Sequence, residues 1–382
     1  MRKLELPVGK SPREWGHIHG ESFRGEVRAL SEIRAYLCTK VGGFKDRAQV
    51  LEAARAHLPV LQRYHQGLYD ELLGIAEGAA VPPELIVVAN HYTDLRDLDP
   101  DPAKWKPAPT QDAPGAEGHG TGASALGGDG CSAFFAETRS GGIVAQTWDM
   151  HATAIPYVMM LHVPQSHDGP AAWLLTVTGC LGMAGMNSAR VAIAINNLYS
   201  TDATLGVVWP AMVRRALHQT SAEVAYDVIR TSPIGSGHHY LVVDPGAVGV
   251  ADAYAVEASG TRRKLVYRRD KNKDYERPGY YAHTNHCLDG DVAARSKVPP
   301  TSTTYDRYKL LEARPKLDNL DDAWRVLGDE EGWPKSICTN MATPEQPHGA
   351  ATCGAIAMNL DTGEVWAQQG FVHNVAPEKF HV

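Results

Sequence analysis

The sequence predicts an α+β protein in which helices cover a β-sheet. Residues 11–95 carry apolar side chains at the three- and four-residue spacing of helices, and residues 132–270 contain short strand-like runs separated by Gly, Asp, Pro or Ser. Beyond residue 131 the order is strands, then helices, then strands again. Such blocks favour a sheet-and-helix sandwich over regular alternation of strands and helices.

Composition and charge narrow the class of protein. The chain has 382 residues, 43% hydrophobic and 21% charged, which is ordinary for a globular protein with a large core. A net charge of -7 leaves no basic patch, so we expect no nucleic-acid partner. The first residues lack the apolar core of a signal peptide, and no run approaches the length that spans a bilayer. Six cysteines without a C-x-x-C pair fit a reducing compartment. We therefore expect a cytoplasmic protein with no membrane partner.

Three segments follow one another along the chain. Residues 1–96 form a helical part, beginning at Ser11-Pro12-Arg13-Glu14, where Ser and Pro are typical of a helix start. Its long helical pattern is interrupted only by Pro59. Residues 97–130 are rich in Pro, Gly, Ala and Asp and predict a flexible linker. Residues 131–382 carry the strands, and we expect all three segments to build one structural domain.

The strands and helices after residue 131 are predicted from their local patterns. The expected strands are residues 132–136, 141–150, 157–163, 171–179, 190–198, 238–244, 253–258 and 264–270. The expected helices are residues 205–219, 221–230, 302–315 and 319–332. The second of these helices opens with Thr220-x-x-Glu223, the pattern of a capping box.

Cys131 stands at the first position of the first of these strands, directly after Gly130. A hairpin turning near residue 140 would place Cys131 opposite Asp149, to within a residue or two. A thiol becomes nucleophilic as a thiolate, which needs a base. If the Gly130–Cys131 bond were cut by attack of the thiol on the Gly130 carbonyl, the new α-amine, with an ordinary pKa of about 7.7–8.0, would supply that base. Gly130 has no Cβ and permits the tight backbone that this attack requires.

Motifs spread along the chain resemble one enzyme family, the self-processing cysteine type of N-terminal-nucleophile (Ntn) hydrolase represented by acyl-CoA:isopenicillin N (6-aminopenicillanic acid) acyltransferase. In chain order the similar stretches are Trp15–Glu21, Leu73–Gly78, Asp129–Cys131, Gln146–Asp149, Met186–Ala192, His283–Leu288, Arg307 and Ser336–Cys338. The chain departs from the family pattern at Thr339, where an arginine is common, near His348, and in the length of residues 97–128.

The resemblance implies a four-layer αββα sandwich and a precursor that cleaves itself between Gly130 and Cys131. An α chain of residues 1–130 and a β chain of residues 131–382 would remain together as a heterodimer. The substrate would be a small amide or acyl thioester, with no cofactor and no metal.

Site roles are carried over from the same resemblance. Cys131 would be the nucleophile, Asp149 would orient its amine, Asn285 would donate to the oxyanion, and Arg307 would fix the local charge. Weaker candidates for substrate binding are Asn187, Trp148 and His286.

Other functions remain open at this point. A thiol hydrolase without processing would need one of the 17 histidines beside Cys131. A metal-dependent hydrolase would need ligands from His17-x-His19, His238-His239 or His283-x-x-His286, although none of these has a third ligand at diagnostic spacing. A non-catalytic relative would use the fold for binding alone. For the Ntn enzyme, hydrolysis is the default expectation and acyl transfer the alternative.

Overall fold

Two stacked β-sheets form the centre of the molecule. The computed structural model describes residues 1–112, 130–247, 250–271, 273, 279–313 and 316–382. Its strands are β1 Arg2–Glu5, β2 Gly130–Thr138, β3 Gly141–His151, β4 Val158–Val163, β5 Ala172–Val177, β6 Ala184–Asn187, β7 Ala192–Asn197, β8 His238–Ala247, β9 Val250–Ala258, β10 Arg263–Arg269, β11 Tyr280–His283, β12 Ala350–Asn359, β13 Glu364–Gln369 and β14 Glu378–His381.

The strands divide between an eight-stranded and a six-stranded sheet. The first has the order β1-β4-β5-β6-β7-β8-β9-β10 and the second the order β11-β2-β3-β12-β13-β14. Within the described strands, β1 pairs with β4 in parallel and the other pairings are antiparallel. Short antiparallel connections explain why neighbouring strands in the sequence are mostly neighbours in the sheet.

Helices lie on both outer faces. Across the described part of the chain the α-helices are α1 Pro12–Ser22, α2 Arg24–Val41, α3 Arg47–Tyr64, α4 Gln66–Ala79, α5 Pro83–Asp97, α6 Trp209–Leu217, α7 Ala222–Thr231, α8 Gly290–Ala293, α9 Thr304–Glu312 and α10 Leu320–Leu327. Helices α6 and α7 contact the eight-stranded sheet, whereas α9 and α10 contact the six-stranded sheet.

The alternation along β2 shows how the layers are built. Ala133 and Phe135 belong to the core between the sheets, whereas Phe134 and Ala136 belong to a second core shared with Leu311 of α9 and with α10. Successive side chains of a strand point to opposite faces of the sheet. Strand β2 is therefore apolar on both of its faces. The predicted four-layer αββα arrangement is confirmed.

The N-terminal helices agree with the sequence in type but differ in detail. Ser11 and Glu14 form the capping box of α1. Pro59 lies inside α3 and does not end it. The first residues form β1, a strand that the sequence analysis did not predict. The predicted capping box at Thr220 is wrong by one residue, because the side chain of Ser221 caps α7 instead.

All eight predicted strands are present, as are the four later helices. The strands that were not predicted are β1, β6, β11, β12, β13 and β14. Several of these are only four residues long, and β12 is rich in small residues and buried throughout, so it lacks the alternation by which strands are recognised.

The predicted linker divides into two parts. Pro107 forms a bridge with Leu205, and the Arg263 guanidinium donates to the Pro109 carbonyl, so residues 98–112 contact the body of the protein. Residues 113–129 lie outside the described part. Among the residues described, no single helix is long and apolar enough to cross a membrane; α4 and α5 pass such a test only as a pair, bent by 116°.

Candidate active site

Cys131 lies near the start of β2, buried between the two sheets. In the β2–β3 hairpin Cys131 pairs with Trp148 and Gly130 pairs with Asp149. The expected pairing of Cys131 with Asp149 is therefore shifted by one residue, because the turn is centred between Arg139 and Ser140, with Thr138 paired with Gly141. The shift places the Asp149 carboxylate beside the Gly130–Cys131 bond: a Cβ at Gly130 would lie 3.0 Å from Asp149 Oδ2 and 3.2 Å from Arg307 Nη2.

Asn285 and Arg307 hold the backbone on both sides of the Cys131 Cα. The Cys131 N–H donates to Asn285 Oδ1 at 2.7 Å. Arg307 on α9 donates from Nη1 to the Cys131 carbonyl and from Nη2 to Asn285 Oδ1, both at 2.8 Å. Asn285 Nδ2 donates to the Asn197 carbonyl at 2.9 Å. An amide nitrogen carries two N–H groups, so one donor of Asn285 remains for a ligand.

Asp149 is a buried carboxylate without a hydrogen-bond partner on either oxygen among the described residues. Burial raises its pKa to about 6, against the opposing effects of the Arg307 charge and the nearby Thr352 and Thr147 hydroxyls. Those hydroxyls act at short range without forming a hydrogen bond of good geometry. A buried acceptor normally finds a donor, so this carboxylate is available to a donor that the described residues do not supply.

The Cys131 thiol is protonated in this state. Burial and then the Asp149 charge raise its pKa to about 12, while Arg307 and the backbone N–H groups of Asp149 and Asn197 act in the opposite direction. Cys131 begins a strand, whereas a papain-type cysteine sits at the positive end of a helix. Activation of this thiol therefore requires a change in its surroundings.

A chain of buried polar side chains supports the Cys131 carbonyl from the other sheet. Asn196 Nδ2 donates to that carbonyl at 3.0 Å, and Asn196 Oδ1 lies 2.8 Å from His239 Nδ1. His239 stacks on His283, with ring centroids 3.7 Å apart. His283 Nε2 in turn lies 2.7 Å from a Glu257 carboxylate oxygen. The Leu288 and Asp289 N–H groups also donate to Glu257. This network of side chains therefore fixes the loop that carries Asn285.

His286 also stabilises the loop that carries Asn285. Its Nδ1 lies 3.0 Å from Thr304 Oγ1, which accepts a hydrogen bond from the Asn285 N–H at 2.7 Å. Burial, followed by the charge of His283, lowers the pKa of His286 to about 4. His286 is therefore neutral at pH 7, next to the residue that it positions.

The other two substrate-binding candidates lie in different environments. Trp148 packs between the sheets as the cross-strand partner of Cys131. Asn187 is occupied elsewhere, because its Nδ2 donates to the carbonyls of Leu217 and Gln219 at the end of α6 and its Oδ1 accepts from the Val191 N–H. The structure thus brings Cys131, Asp149, Asn285, Arg307 and Trp148 together, but not Asn187.

The sequence analysis missed several polar residues of this site. Both side-chain polar atoms of Asn197 and the Tyr199 hydroxyl are buried without a hydrogen-bond partner among the described residues. Burial raises the pKa of Tyr199, and the smaller effects on this pKa come from the charges of Arg96, Asp97, Arg307 and Cys131. The one sequence signal for polar groups at this site is the run RVAIAINNL, in which two asparagines come near the end of a buried strand.

The histidine pairs have identifiable structural partners. His19 Nε2 accepts from the Gly179 N–H at 2.9 Å, and His238 Nε2 lies 2.7 Å from Asp94 Oδ1. His17 is half-exposed beside Glu21. Within the described ranges, no three His, Cys, Asp or Glu side chains are placed to share a metal ion.

Comparison with known proteins agrees with the motif resemblance. Residues 136–362 match the family model described as "Acyl-coenzyme A:6-aminopenicillanic acid acyl-transferase". The 40 kDa form of acyl-coenzyme A:6-aminopenicillanic-acid-acyltransferase from Emericella nidulans is 25% identical over 340 residues, covering 88% of this chain and 84% of that protein.

Solved structures with a similar arrangement are more distant. Penicillin V acylase from Agrobacterium tumefaciens has 14% identity and a TM-score of 0.41, with 66% of this chain and 85% of that chain covered. A mutant of conjugated bile acid hydrolase from Clostridium perfringens has 11% identity and a TM-score of 0.40, with 66% and 92% covered. The family model spans more than half of the chain, which confirms an enzyme of the Ntn amidohydrolase or acyltransferase type. This chain belongs to the acyl-coenzyme A:6-aminopenicillanic acid acyl-transferase family.

Proposed function

We propose that this protein is a self-processing cysteine amidohydrolase or acyltransferase that acts on a small amide or acyl thioester through an acyl group carried on Cys131. The observation that supports this most is the unpaired Asp149 carboxylate beside the Gly130–Cys131 bond. Cleavage of that bond would create an α-amine next to the carboxylate, and the amine would provide the missing hydrogen-bond donor and countercharge.

The proposed processing reaction cleaves the Gly130–Cys131 bond. Cys131 Sγ attacks the Gly130 carbonyl carbon, a C–S bond forms, the C–N bond breaks, and the thiol proton passes to the released nitrogen. Water then hydrolyses the thioester, leaving a carboxylate on Gly130 and restoring the thiol. A small cleft lined by Thr303, Thr339 and Met341 reaches Gly130 and has roughly the volume of one water molecule.

In the mature enzyme the free amine of Cys131 would take the thiol proton, since its pKa of about 7.7–8.0 suits a base near neutral pH. The thiolate attacks the substrate carbonyl. The second N–H of Asn285 Nδ2 and the backbone N–H of Asn197 stabilise the oxyanion. The amine returns its proton to the leaving amine or thiol, and the acyl group passes to water by default, or to an amine acceptor.

Denaturing electrophoresis with mass analysis tests processing directly. We expect fragments of 130 and 252 residues, which together make the 382 of the chain, with Cys131 at the start of the larger one. An active protein that remains a single band would indicate an unprocessed thiol hydrolase. Loss of activity on adding a chelator would indicate a metal enzyme, and a function that survives Cys131→Ala would indicate a binding protein.

The substrate class is tested by measuring amine release from N-acyl amino acids, acylated amines and β-lactams. The β-lactams are included because the name of the Emericella nidulans relative contains 6-aminopenicillanic acid. Alkylation followed by intact-mass analysis provides an independent readout. Once the amine is free, Cys131 should react before the other five cysteines, because the amine would take its thiol proton and leave a thiolate.

A further inference from the structure

Arg34 is a buried cation without a countercharge. It lies on α2 with 4% of its surface exposed, and no described Asp or Glu comes within ion-pair distance of it. Its Nη1 donates to the Ala89 carbonyl, and its Nε has no described partner. By contrast, the buried Arg214 is paired with Glu71. A buried, unpaired charge is strongly unfavourable, which makes Arg34 a candidate for a functional role.

The surroundings of Arg34 point toward the nucleophile. Its guanidinium carbon lies 6.0 Å from the ring centre of Trp148 and 5.8 Å from that of Tyr92. Trp148 is the cross-strand partner of Cys131, and side chains of such partners share one face of the sheet. The Trp148 side chain therefore lies next to both the Arg34 guanidinium and the Cys131 side chain.

A second unpaired group lies in the same place. His151 contacts the Tyr92 ring, with centroids 5.8 Å apart, and its Nε2 is buried without a described partner. Burial, and then the charge of Arg34, lowers the pKa of His151 far below its ordinary value, so the ring is neutral. Arg34 and His151 thus offer a cation and a neutral polar group, each with one buried nitrogen that has no described partner. The other ring nitrogen of His151 lies 2.8 Å from Thr153 Oγ1.

We propose that Arg34 is the anion-binding residue of the substrate pocket, which makes the preferred substrates amides that carry a carboxylate close to the bond that is cleaved. The proposal rests on the function proposed above. The planar guanidinium fork matches a carboxylate, and the apolar rings around it strengthen the attraction. The carboxylate belongs either to the amine part or to the acyl part of the substrate.

The structural alternative is that Arg34 only supports a bend in α5. The helix is interrupted at His91, where the backbone is non-helical, and Arg34 donates to the Ala89 carbonyl just before it. Arg34→Gln separates the two roles, because glutamine keeps an N–H donor and loses the charge. Arg28→Gln is the matched control, since Arg28 lies on the exposed side of α2 and also donates to a carbonyl, that of Ala80.

Three matched amides provide the kinetic test: N-butyrylphenethylamine, which is neutral; N-butyrylphenylalanine, with a carboxylate on the amine part; and N-succinylphenethylamine, with one on the acyl part. We expect one anionic amide to have a kcat/KM at least tenfold above the neutral one, mainly through KM. Arg34→Gln should remove this preference, Arg34→Lys should keep part of it, and Arg28→Gln should keep it all. Equal kcat/KM for all three amides, or a preference that survives Arg34→Gln, would overturn the proposal.

A binding measurement separates failure of this proposal from failure of the proposed function. The change in Tm caused by 3-phenylpropanoate is compared with that caused by 3-phenylpropanamide, using the purified full-length protein. The anion alone should raise Tm in the wild type and in Arg28→Gln, and not in Arg34→Gln, whether or not any amide is hydrolysed. Equal shifts for anion and amide contradict the subsite. Without ligand, Arg34→Gln should have an unchanged or higher Tm, because an unpaired charge has been removed, whereas a purely structural arginine would lower it.

Discussion

Individual residues of the candidate site carry charged and hydrogen-bonding groups that have no partner among the described residues. Asp149, Arg34 and the side chain of Asn197 are buried with polar atoms that lack a described partner. Such groups cost free energy of folding, and they persist where a ligand or a reaction uses them. Two predictions concern single residues.

Replacement of the nucleophile tests the central role of Cys131. Cys131→Ala should leave a single band of 382 residues on a denaturing gel and abolish acyl release, because it removes the proposed nucleophile, which follows Gly130 beside Asp149 and Arg307. Cys38→Ala is the control, since Cys38 is buried in α2 away from this peptide bond. Two bands from Cys131→Ala would show that another nucleophile cuts the chain.

The pKa of Asp149 predicts how stability depends on pH. Burial in the folded protein raises this pKa from the ordinary 3.8 to about 6, so the folded state holds more protons than the unfolded state between these values. The free energy of unfolding therefore falls as pH rises from about 4 to 6, by about 3 kcal/mol for two pKa units. In a Cys131→Ala background, Asp149→Asn should be more stable at pH 7 by up to that amount, and equally stable near pH 3.

Urea unfolding at both pH values measures this difference. A variant that is less stable at pH 7 would show that the carboxylate is stabilised in the precursor by a partner. In the otherwise native chain Asp149→Asn should also slow processing, because the released amine loses its countercharge.

At the scale of elements, the crossing of α1 and α4 explains two of the family-like motifs. A Cβ at Gly16 or Gly20 would lie 1.9 or 2.1 Å from a carbonyl oxygen of α4, and one at Gly74 or Gly78 would lie 2.1 Å from a carbonyl oxygen of α1. The four glycines let the two helix backbones touch. These motifs therefore determine helix packing, and they place no side chain at the candidate site.

A glycine substitution tests this crossing. Gly74→Ala should lower the free energy of unfolding by about 3 kcal/mol or more, because its Cβ would meet backbone atoms that cannot rotate away. Gly25→Ala on α2 is the control, because its Cβ would meet nothing within 4 Å. The higher helix propensity of alanine should raise the free energy of unfolding of this variant by about 0.5–1 kcal/mol. Chemical unfolding of both variants measures the difference, and equal stabilities would contradict the close crossing.

At the scale of the whole molecule, the two proposed chains share one core. Strand β1 of the α chain pairs with β4 of the β chain, and one apolar cluster contains residues from both. Glu71 on α4 and Arg214 on α6 form a buried ion pair across the same boundary, with N–O distances of 2.9 and 3.1 Å. After processing we expect the chains to elute together in native size-exclusion chromatography and to separate only in denaturant.

The buried ion pair provides the quantitative test of this association. Glu71→Gln leaves the Arg214 charge buried and unpaired, so stability should fall by about 3–5 kcal/mol and the chains should separate at lower urea. Joint replacement by Glu71→Leu and Arg214→Met should recover most of the loss. Glu77→Gln, which removes an exposed ion pair with Arg13, should change stability by about 0–1 kcal/mol. A similar loss for Glu71→Gln and Glu77→Gln would mean that the buried pair does not hold the chains together.

The sequence by itself determined the order of elements, the hairpin that brings Cys131 close to Asp149, and the family. These depend on short-range signals: the period of apolar residues, turn residues near residue 140, and motifs in order. Where the predicted elements were incomplete, as at β12 and β14, the strands lack alternation or are very short.

Only the tertiary structure decided which polar groups meet and which stay unpaired. Asn285 and Arg307 reach Cys131 across 154 and 176 residues of chain, and Arg34 approaches Trp148 from a helix on another layer. The one-residue difference in register decided that Asp149 faces Gly130. No local pattern encodes such contacts, because each depends on how two sheets and their helices pack, and burial gives those charges their altered pKa values.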